Sequence, residues 1–280
     1  MKTKIARALS LAVLSTLILL TGVISAHAAV VVEDVSVGTT SGGSSITIIA
    51  HQASGSDRFM LVGVSLNNDS YETVTGITFN GIPLTLVGTE AKSDDARVEI
   101  WSLVNPDLGN HDVEITFSEA IYRQAIAGVV TFSGVDQTSP LGTFASAKAD
   151  GTLASVDVPS ATDELVFGIV AAETPSGLTV GSGQTEHWNV VAGGGKTEGA
   201  GSTEAGAATV TTSWALGSSD HWAVAGVSIR PSSGVTSLSV AITSPTSAAT
   251  YSTDTGTLTL GGVASGPKTI TQVTWSNDRG

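Results

Sequence analysis

Apolar and polar residues alternate with a period of two along most of the chain beyond residue 30, and this pattern predicts β-strands. The segment DVEITF at residues 112–117 is the clearest example, because its apolar residues fall on one side and its polar residues on the other. Such a strand is buried on one face only, as is common in antiparallel sheets. Helical periodicity is nearly missing, and similar patterns recur in SSITII, GITFNG, LTLVG, VEIWSL, ASVDV and ATVTTSW.

A second group of predicted strands is apolar on both faces and has a glycine near the middle. We expect these to be central strands of two packed sheets, in which the glycine lets a large side chain from the facing sheet approach the backbone. The segments that follow Asp57, Asp163 and Asp220 resemble one another. An internal repeat and independent core patterning both explain this, and we favour the second. The group comprises residues 58–66, 124–132, 164–172 and 221–229.

Residues 1–28 are predicted to be a cleaved signal peptide. Lys2, Lys4 and Arg7 precede an apolar stretch at residues 9–24, and Ala26 and Ala28 then fit a signal peptidase site. The alternative is a membrane anchor, for which the stretch is short, because a spanning helix needs about 20 apolar residues. We therefore expect export to the extracellular space or the cell surface, with no membrane attachment after cleavage.

The strands predicted between residues 29 and 231 make one domain of about 200 residues, a size that fits a single sandwich. The predicted fold class is all-β, a jelly-roll-like two-sheet antiparallel β-sandwich. Residues 232–235 are expected to be a linker, because Pro231 to Gly234 is a run of turn-forming residues. Ser- and Thr-rich strand patterns follow, and we assign residues 236–280 to a partial Ig-like domain.

The C-terminal segment is too short for a complete Ig-like domain, which has about seven strands in about 100 residues. Half a sandwich leaves edge strands and one apolar face without partners. Two explanations are open. The sequence is a fragment of a longer modular protein, which we favour, or strands of another subunit complete the domain and so build a polymer.

Five motifs of the first domain resemble a family of exported bacterial proteins. They are RFMLVGVSLNN, VEIWSLVNP, TFSGVDQTSPLGTF, GAGSTEAGA and SSDHWAVAGVSIRP, and they span most of residues 30–231. The resemblance implies an uncharacterised β-sandwich at the front of a modular surface or secreted protein, and it brings no activity and no catalytic residues. Residues 236–280 are similar to the bacterial Ig-like modules arrayed in such proteins.

The charge and the cysteine count exclude several partners and chemistries. Without the three basic residues of the predicted signal peptide, the chain has 9 basic residues against 25 acidic ones, a net charge of −16. An acidic chain repels polyanions, so we expect no nucleic acid or anionic membrane as a partner. Cysteine is absent, which removes disulfides, thiol catalysis and cysteine-ligated metals.

The sequence VAGGGKTEGAGSTEAGA, at residues 191–207, contains Gly195-Lys196-Thr197, which resembles the end of a phosphate-binding loop. That loop requires G-x-x-x-x-G-K-[ST] at the start of a helix, and its first glycine would be residue 190, which is Val190. No helical pattern follows. We therefore expect no nucleotide there, and instead a long glycine-rich loop packed closely between strands.

Two His-Trp pairs, His187-Trp188 and His221-Trp222, are the most distinctive aromatic features. Neighbouring residues on a strand face opposite ways, so the favoured interpretation places each Trp in the core and each His at the surface or strand end. The first alternative is an aromatic platform for sugars. The second is a metal site with the adjacent Glu186 and Asp220, although the spacing matches no zinc motif.

Nothing in the sequence indicates a catalytic centre, and the chain is predicted not to be an enzyme. The G-x-S-x-G motif of hydrolases is absent. Glu99 and Glu114 alternate with apolar residues and are expected on solvated strand faces. No cofactor is predicted. Calcium alone stays open, because Asn67-Asn68-Asp69 and Asp94-Asp95 are oxygen-rich clusters that turn chemistry explains equally well.

The favoured function is a non-catalytic secreted or cell-surface module for adhesion or for building an extracellular matrix, with self-assembly as one form of it. Its expected partners are other surface or matrix proteins, or copies of itself. The alternative is a carbohydrate-binding module of a secreted polysaccharide-active protein, which would bind glycans through exposed aromatic residues. A secreted hydrolase is the third hypothesis.

Overall fold

The computed structural model describes residues 29–67, 71–93, 95–192, 194–232, 239–244 and 259–265. Every regular element in these ranges is a β-strand, and paired strands are antiparallel, so the predicted all-β sandwich class is confirmed. The predicted signal peptide lies outside the described residues. In the described ranges no helix is long and apolar enough to cross a lipid bilayer.

The first half of the 29–231 region is a two-sheet sandwich of nine described strands. They are β1 (Val31–Thr40), β2 (Ser45–Ala53), β3 (Phe59–Asn67), β4 (Val74–Phe79), β5 (Ile82–Pro83), β6 (Thr85–Lys92), β7 (Ala96–Val104), β8 (Gly109–Phe117) and β9 (Ala125–Ser133). The inner sheet has the order β1-β9-β3-β7-β6, and the outer sheet the order β2-β8-β4-β5. Apart from the additional strand β6, this is the strand order of a jelly roll.

The second half repeats this arrangement with fewer strands, of which two are much longer than any in the first half. Its strands are β10 (Ala145–Pro159), β11 (Leu165–Ala172), β12 (Thr179–Val180), β13 (Thr185–Val191), β14 (Glu198–Ala205) and β15 (Thr209–Ile229). The order β10-β15-β11-β14-β13 matches the inner sheet of the first half, strand for strand. In the same way, β12 pairs with β15 as β4 pairs with β8.

Strands β10 and β15 each contribute to two layers of the second half. Residues 145–151 pair with 220–226, and after a register shift residues 153–159 pair with 209–215. The latter ribbon folds back over the inner sheet, because a Cβ at Gly168 would overlap Thr212 and one at Gly226 would overlap Val158. The ribbon therefore takes the place of β2 and β8.

The duplication revises our interpretation of the three similar segments. Asp57 and Asp163 precede β3 and β11, which occupy the same position in their sheets, and both have a positive φ, of 51° and 73°. The segment after Asp220 belongs to β15, the equivalent of β9. Our preference for independent core patterning is thus corrected for the segments that follow Asp57 and Asp163, which belong to a structural repeat.

Three larger apolar cores stack across the described part of the molecule, and the middle one joins the two halves. The first lies between the two sheets of the first half, the second between the two inner sheets, and the third beneath the folded-back ribbon. Representative residues are Met60, Val62 and Phe79 in the first, Leu61, Phe167 and Ile169 in the second, and Val170, Trp214 and Trp222 in the third. Strands β3 and β11 each contribute to two cores, which explains why they are apolar on both faces.

The mid-strand glycines have the predicted role. Gly63 and Gly128 pair across β3 and β9. Because neither has a side chain, their backbone is open to side chains of the second half. A Cβ at Gly63 would overlap Ile169, and one at Gly128 would overlap the indole of Trp188. The missing side chains thus allow the two inner sheets to pack closely.

The glycine-rich segment differs from the prediction in one respect. Residues 198–205 are a strand, β14, within the inner sheet rather than part of a long loop. A Cβ at Gly199 would meet Ser65, and one at Gly201 would overlap Trp188. Close packing was therefore expected correctly, but the small residues accommodate neighbouring side chains within a sheet.

The C-terminal region contributes one described pair of antiparallel strands, β16 (Ser239–Ser244) and β17 (Gly261–Ser265). Apart from residues 259 and 260, its other residues lie outside the described ranges, so the Ig-like assignment of residues 236–280 stays a prediction. The sandwich region ends at Pro231, which bridges to Val135, and the backbone N–H of Ser232 donates to Gly134 O.

Candidate functional site

Both tryptophans of the His-Trp pairs are buried, as the favoured interpretation predicts. Trp188 is 5% exposed and Trp222 is 6% exposed, whereas His187 and His221 are only partly buried. Trp214 is also fully buried, and Trp101 is partly buried. These four indoles therefore provide no sugar-binding platform.

The two histidines lie in different environments. His187 Nε2 is 2.8 Å from Thr203 Oγ1, and burial lowers the pKa of His187. Glu186 beside it accepts a hydrogen bond from Asn189 Nδ2 at 3.2 Å. His187 and Glu186 thus have separate partners within the sheet, and the structure gives no support to a metal site at this pair.

His221 lies beside two carboxylates at the junction of the two halves. Its Nδ1 is 2.9 Å from Asp95 Oδ2 and 2.9 Å from Glu173 Oε2. We call Asp95, Glu173 and His221 the junction cluster, and one potential ligand atom from each lies within 4.8 Å of the others. Asp95 belongs to the turn between β6 and β7, Glu173 follows β11, and His221 lies in β15.

Further acidic residues surround the junction cluster. Asp150 Oδ1 is 3.5 Å from His221 Nε2, and the same oxygen is 3.0 Å from Lys92 Nζ. Asp220 Oδ2 accepts hydrogen bonds from the backbone N–H and hydroxyl of Thr174 at 2.8 and 2.9 Å. Asp220 therefore holds the chain next to Glu173 in place, and does not itself belong to the cluster.

The electrostatics of the cluster favour an added positive charge. Burial raises the pKa of Glu173, and the negative charge of Asp95 raises it further, while hydrogen bonding to His221 opposes both effects. A cation between these groups would relieve the repulsion between the two carboxylates. The arrangement is therefore compatible with a cation, and no nucleophile is paired with a base within it.

Of the two oxygen-rich clusters left open for calcium, the structure describes only Asn67 and Asp95. Asn67 is buried at the end of β3 and pairs with Ala96, and its Nδ2 donates to the backbone oxygen of Glu173 at 3.2 Å. Asn68, Asp69 and Asp94 lie outside the described residues. Of the predicted clusters, the structure thus brings Asn67 and Asp95 close to His221, while calcium itself stays untested.

The prediction that Glu99 and Glu114 both lie on solvated strand faces is wrong for one of them. Glu114 is exposed as expected, but Glu99 is 1% exposed. Its carboxylate accepts hydrogen bonds from Arg97 Nε at 2.7 Å, Trp101 Nε1 at 3.0 Å and the backbone N–H of Val74 at 3.2 Å. These donors belong to β7 itself and to the first residue of β4.

Sequence reasoning missed two further buried carboxylates that hold loops. Glu198 accepts hydrogen bonds from the consecutive backbone N–H groups of Ser176, Gly177 and Leu178, at 2.8 to 3.0 Å. Glu72 is fully buried and accepts one from the backbone N–H of Tyr122 at 2.8 Å. Neither residue stands in a recognisable motif, because their partners are remote in sequence.

Sequence reasoning also missed Glu173, a member of the junction cluster, and Asp150, which lies beside the cluster. Glu173 directly follows the apolar segment at residues 164–172, so its position at a strand end was the only available signal. No local spacing connects residues 95, 173 and 221, since they are joined only when the two halves pack together.

The phosphate-loop resemblance is not matched by phosphate-loop geometry. Lys196 and Thr197 are followed by strand β14, where a phosphate loop would begin a helix. The backbone N–H of Lys196 donates to Gln124 Oε1 at 2.9 Å, and Thr197 is buried. The Gly-Lys-Thr turn therefore connects two sheet strands.

Two exposed tyrosines lie at one end of the first half. Tyr71 is 68% exposed and Tyr122 is 69% exposed, and the Glu72–Tyr122 hydrogen bond joins their loops. The Arg123 guanidinium lies 5.5 Å from the centroid of the Tyr122 ring. We call Tyr71, Tyr122 and Arg123 the tyrosine surface.

No family model, curated protein or solved structure matches the chain. The resemblance to exported bacterial β-sandwich proteins accordingly stays a prediction. The function has to be argued from the geometry of the chain's own residues.

Proposed function

We propose that this chain is a non-catalytic structural or adhesive module of a secreted or cell-surface protein. The observation that carries this proposal is the continuous middle core between the two inner sheets. Because both faces of each inner sheet are buried, the two sandwiches behave as one stiff body about twice the size of a single jelly roll.

The roles of the buried carboxylates also support a structural function. Glu72 and Glu198 accept hydrogen bonds from backbone N–H groups of connecting segments, and Glu99 accepts one from the first residue of β4. Acidic residues used in this way fix loops instead of facing a substrate. An ion pair and a hydrogen bond further connect the halves. Lys148 Nζ is 3.0 Å from Glu90 Oε1, and the Ser146 hydroxyl donates to Glu90 Oε2 at 2.9 Å.

Self-assembly is the form of this function that is easiest to test. We expect the full chain to form polymers or to adhere to extracellular matrix, and to show no turnover of ester, peptide or glycoside substrates. Size-exclusion chromatography and electron microscopy should be compared between the full chain and one that ends at residue 231. Assembly that depends on residues 236–280 supports strand addition, whereas substrate turnover by the purified chain contradicts the proposal.

A second candidate function, glycan binding, is favoured by the tyrosine surface. Neighbouring exposed aromatic rings provide faces on which sugar rings can stack, with a polar group beside them. Retention on immobilised polysaccharides should be measured for the parent chain and for Tyr122→Ala. Loss of retention without a change in melting temperature supports glycan binding, and no retention of the parent chain rules it out.

A further inference from the structure

We propose that the junction cluster, Asp95, Glu173 and His221, binds one divalent transition-metal ion of the zinc class between the two halves of the molecule. This inference does not depend on the proposed adhesive function. It assigns a ligand to a site where three groups from distant parts of the chain converge.

The first argument is the geometry around His221 Nδ1. Oxygens of two carboxylates lie 2.9 Å from this one nitrogen. A ring nitrogen carries at most one hydrogen, so it cannot make two full hydrogen bonds at once. Ligands of a tetrahedral zinc ion lie about 3.3–3.5 Å apart, given bond lengths of about 2.0–2.2 Å. Lengthening each of these two distances by about half an ångström would therefore give the spacing of zinc ligands.

The donor atoms select the class of metal. Calcium takes six to eight oxygen ligands, whereas the cluster supplies one imidazole nitrogen and two carboxylates. Imidazole with carboxylates suits zinc and its neighbours in the first transition row. The partial exposure of all three residues leaves room for water to complete the coordination.

The surroundings hold the ligands in place. Asp150 lies 3.5 Å from Nε2, on the side of the imidazole opposite the cluster, where it can orient the ring. Asp220 accepts from the backbone N–H of His221 itself and from Thr174, so it fixes the chain beside two of the ligands. Lys92 reduces the negative charge of Asp150, while the charges of Asp95 and Glu173 remain available for the metal.

The three ligands come from both halves of the molecule. Asp95 belongs to the first half, and Glu173 and His221 belong to the second. A metal ion would thus cross-link two sandwiches that are otherwise joined by their shared core and by polar contacts such as Lys148–Glu90. It would stabilise the folded chain according to its free concentration.

The test uses the full chain, treated with a chelator and dialysed, and titrated with zinc chloride in a calorimeter. We expect one zinc per chain and a melting temperature that rises with zinc concentration, with no such rise for the same concentration of calcium. Cobalt should give the visible absorption of a tetrahedral site. Asp95→Asn and His221→Gln should each weaken zinc binding at least tenfold, and His111→Gln should not change it.

Circular dichroism shows whether each variant folds. If His221→Gln fails to fold, Asp95→Asn still decides the test, because Asp95 lies in a turn where the substitution disturbs no strand. The inference is overturned if the folded parent chain binds no zinc at micromolar concentrations. It is equally overturned if zinc binding is unchanged in Asp95→Asn, or if calcium binds more tightly than zinc.

Discussion

Trp188 shows at the scale of a single residue how the two halves are joined. Its indole lies against backbone from both halves, Gly128 of β9 and Gly201 of β14, and it belongs to the middle core. The sequence predicted a buried indole here from strand alternation. Its glycine neighbours were not predictable, since they are 60 residues before and 13 residues after it in the chain.

Trp188→Ala should lower the free energy of unfolding by about 3–5 kcal/mol, because it removes a large side chain from a closely packed site. Trp222→Ala, in the third core, should cost about the same. Urea denaturation of each variant and of the exposed control Tyr122→Ala measures this. A cost below about 1 kcal/mol for Trp188→Ala would contradict the burial of its indole.

His51 is the residue with the clearest expected pH dependence. It is fully buried, with Nδ1 2.8 Å from Ser36 Oγ and Nε2 2.8 Å from Thr131 Oγ1. Burial lowers the pKa of His51 from its usual 6.5, and the nearby Asp34 carboxylate only partly opposes this. Below about pH 6.5 the unfolded chain binds a proton that the folded chain does not, so stability is lost as the pH falls.

We therefore expect the free energy of unfolding to decrease from pH 7.5 to pH 5.5. His187, whose pKa burial also lowers, acts in the same direction. Urea denaturation across this range should show a smaller pH slope for His51→Gln than for the parent chain, whatever the variant's stability at pH 7.5. An identical slope in the two proteins would mean that His51 does not titrate as described.

At the scale of elements, the predicted strands correspond closely to the strands of the structure, because alternation and turn residues are local signals. The turn Asn80-Gly81 is one example, with φ of 51° and 75° at its two residues. Strand β14 was missed, because its small residues lack the apolar alternation of a strand and its burial depends on Trp188. Glu99 was misplaced for a similar reason, since one of its hydrogen-bond donors, the backbone N–H of Val74, comes from another strand.

Two glycines in strands provide a matched test of β14. Gly201→Ala should destabilise the chain by about 1–3 kcal/mol, because the added Cβ overlaps the indole of Trp188. Gly76→Ala, in β4, meets no atom within 4 Å and should be neutral or stabilising by up to about 1 kcal/mol. Chemical denaturation of both variants decides this, and equal effects would argue against β14 as a packed strand.

At the scale of the whole molecule, the sequence predicted the right fold class, but not that the region consists of two sandwiches packed together through their inner sheets. Composition and periodicity describe faces of strands, and they do not specify which sheet covers which. The junction cluster was beyond prediction for the same reason, because its three residues come from two halves. The two halves of the 29–231 region are therefore joined by contacts between residues remote in sequence.

Native-state hydrogen exchange tests most directly the central claim that the two sandwiches form one body. Amides of β3 and β9 in the first half and of β11 and β15 in the second should exchange with the same free energy of opening, and with the same dependence on denaturant. That result is expected because the middle core unfolds only when both inner sheets separate. If the amides of one half exchange through a distinct opening of lower free energy while the other half stays protected, the two halves are independent domains and the account is contradicted.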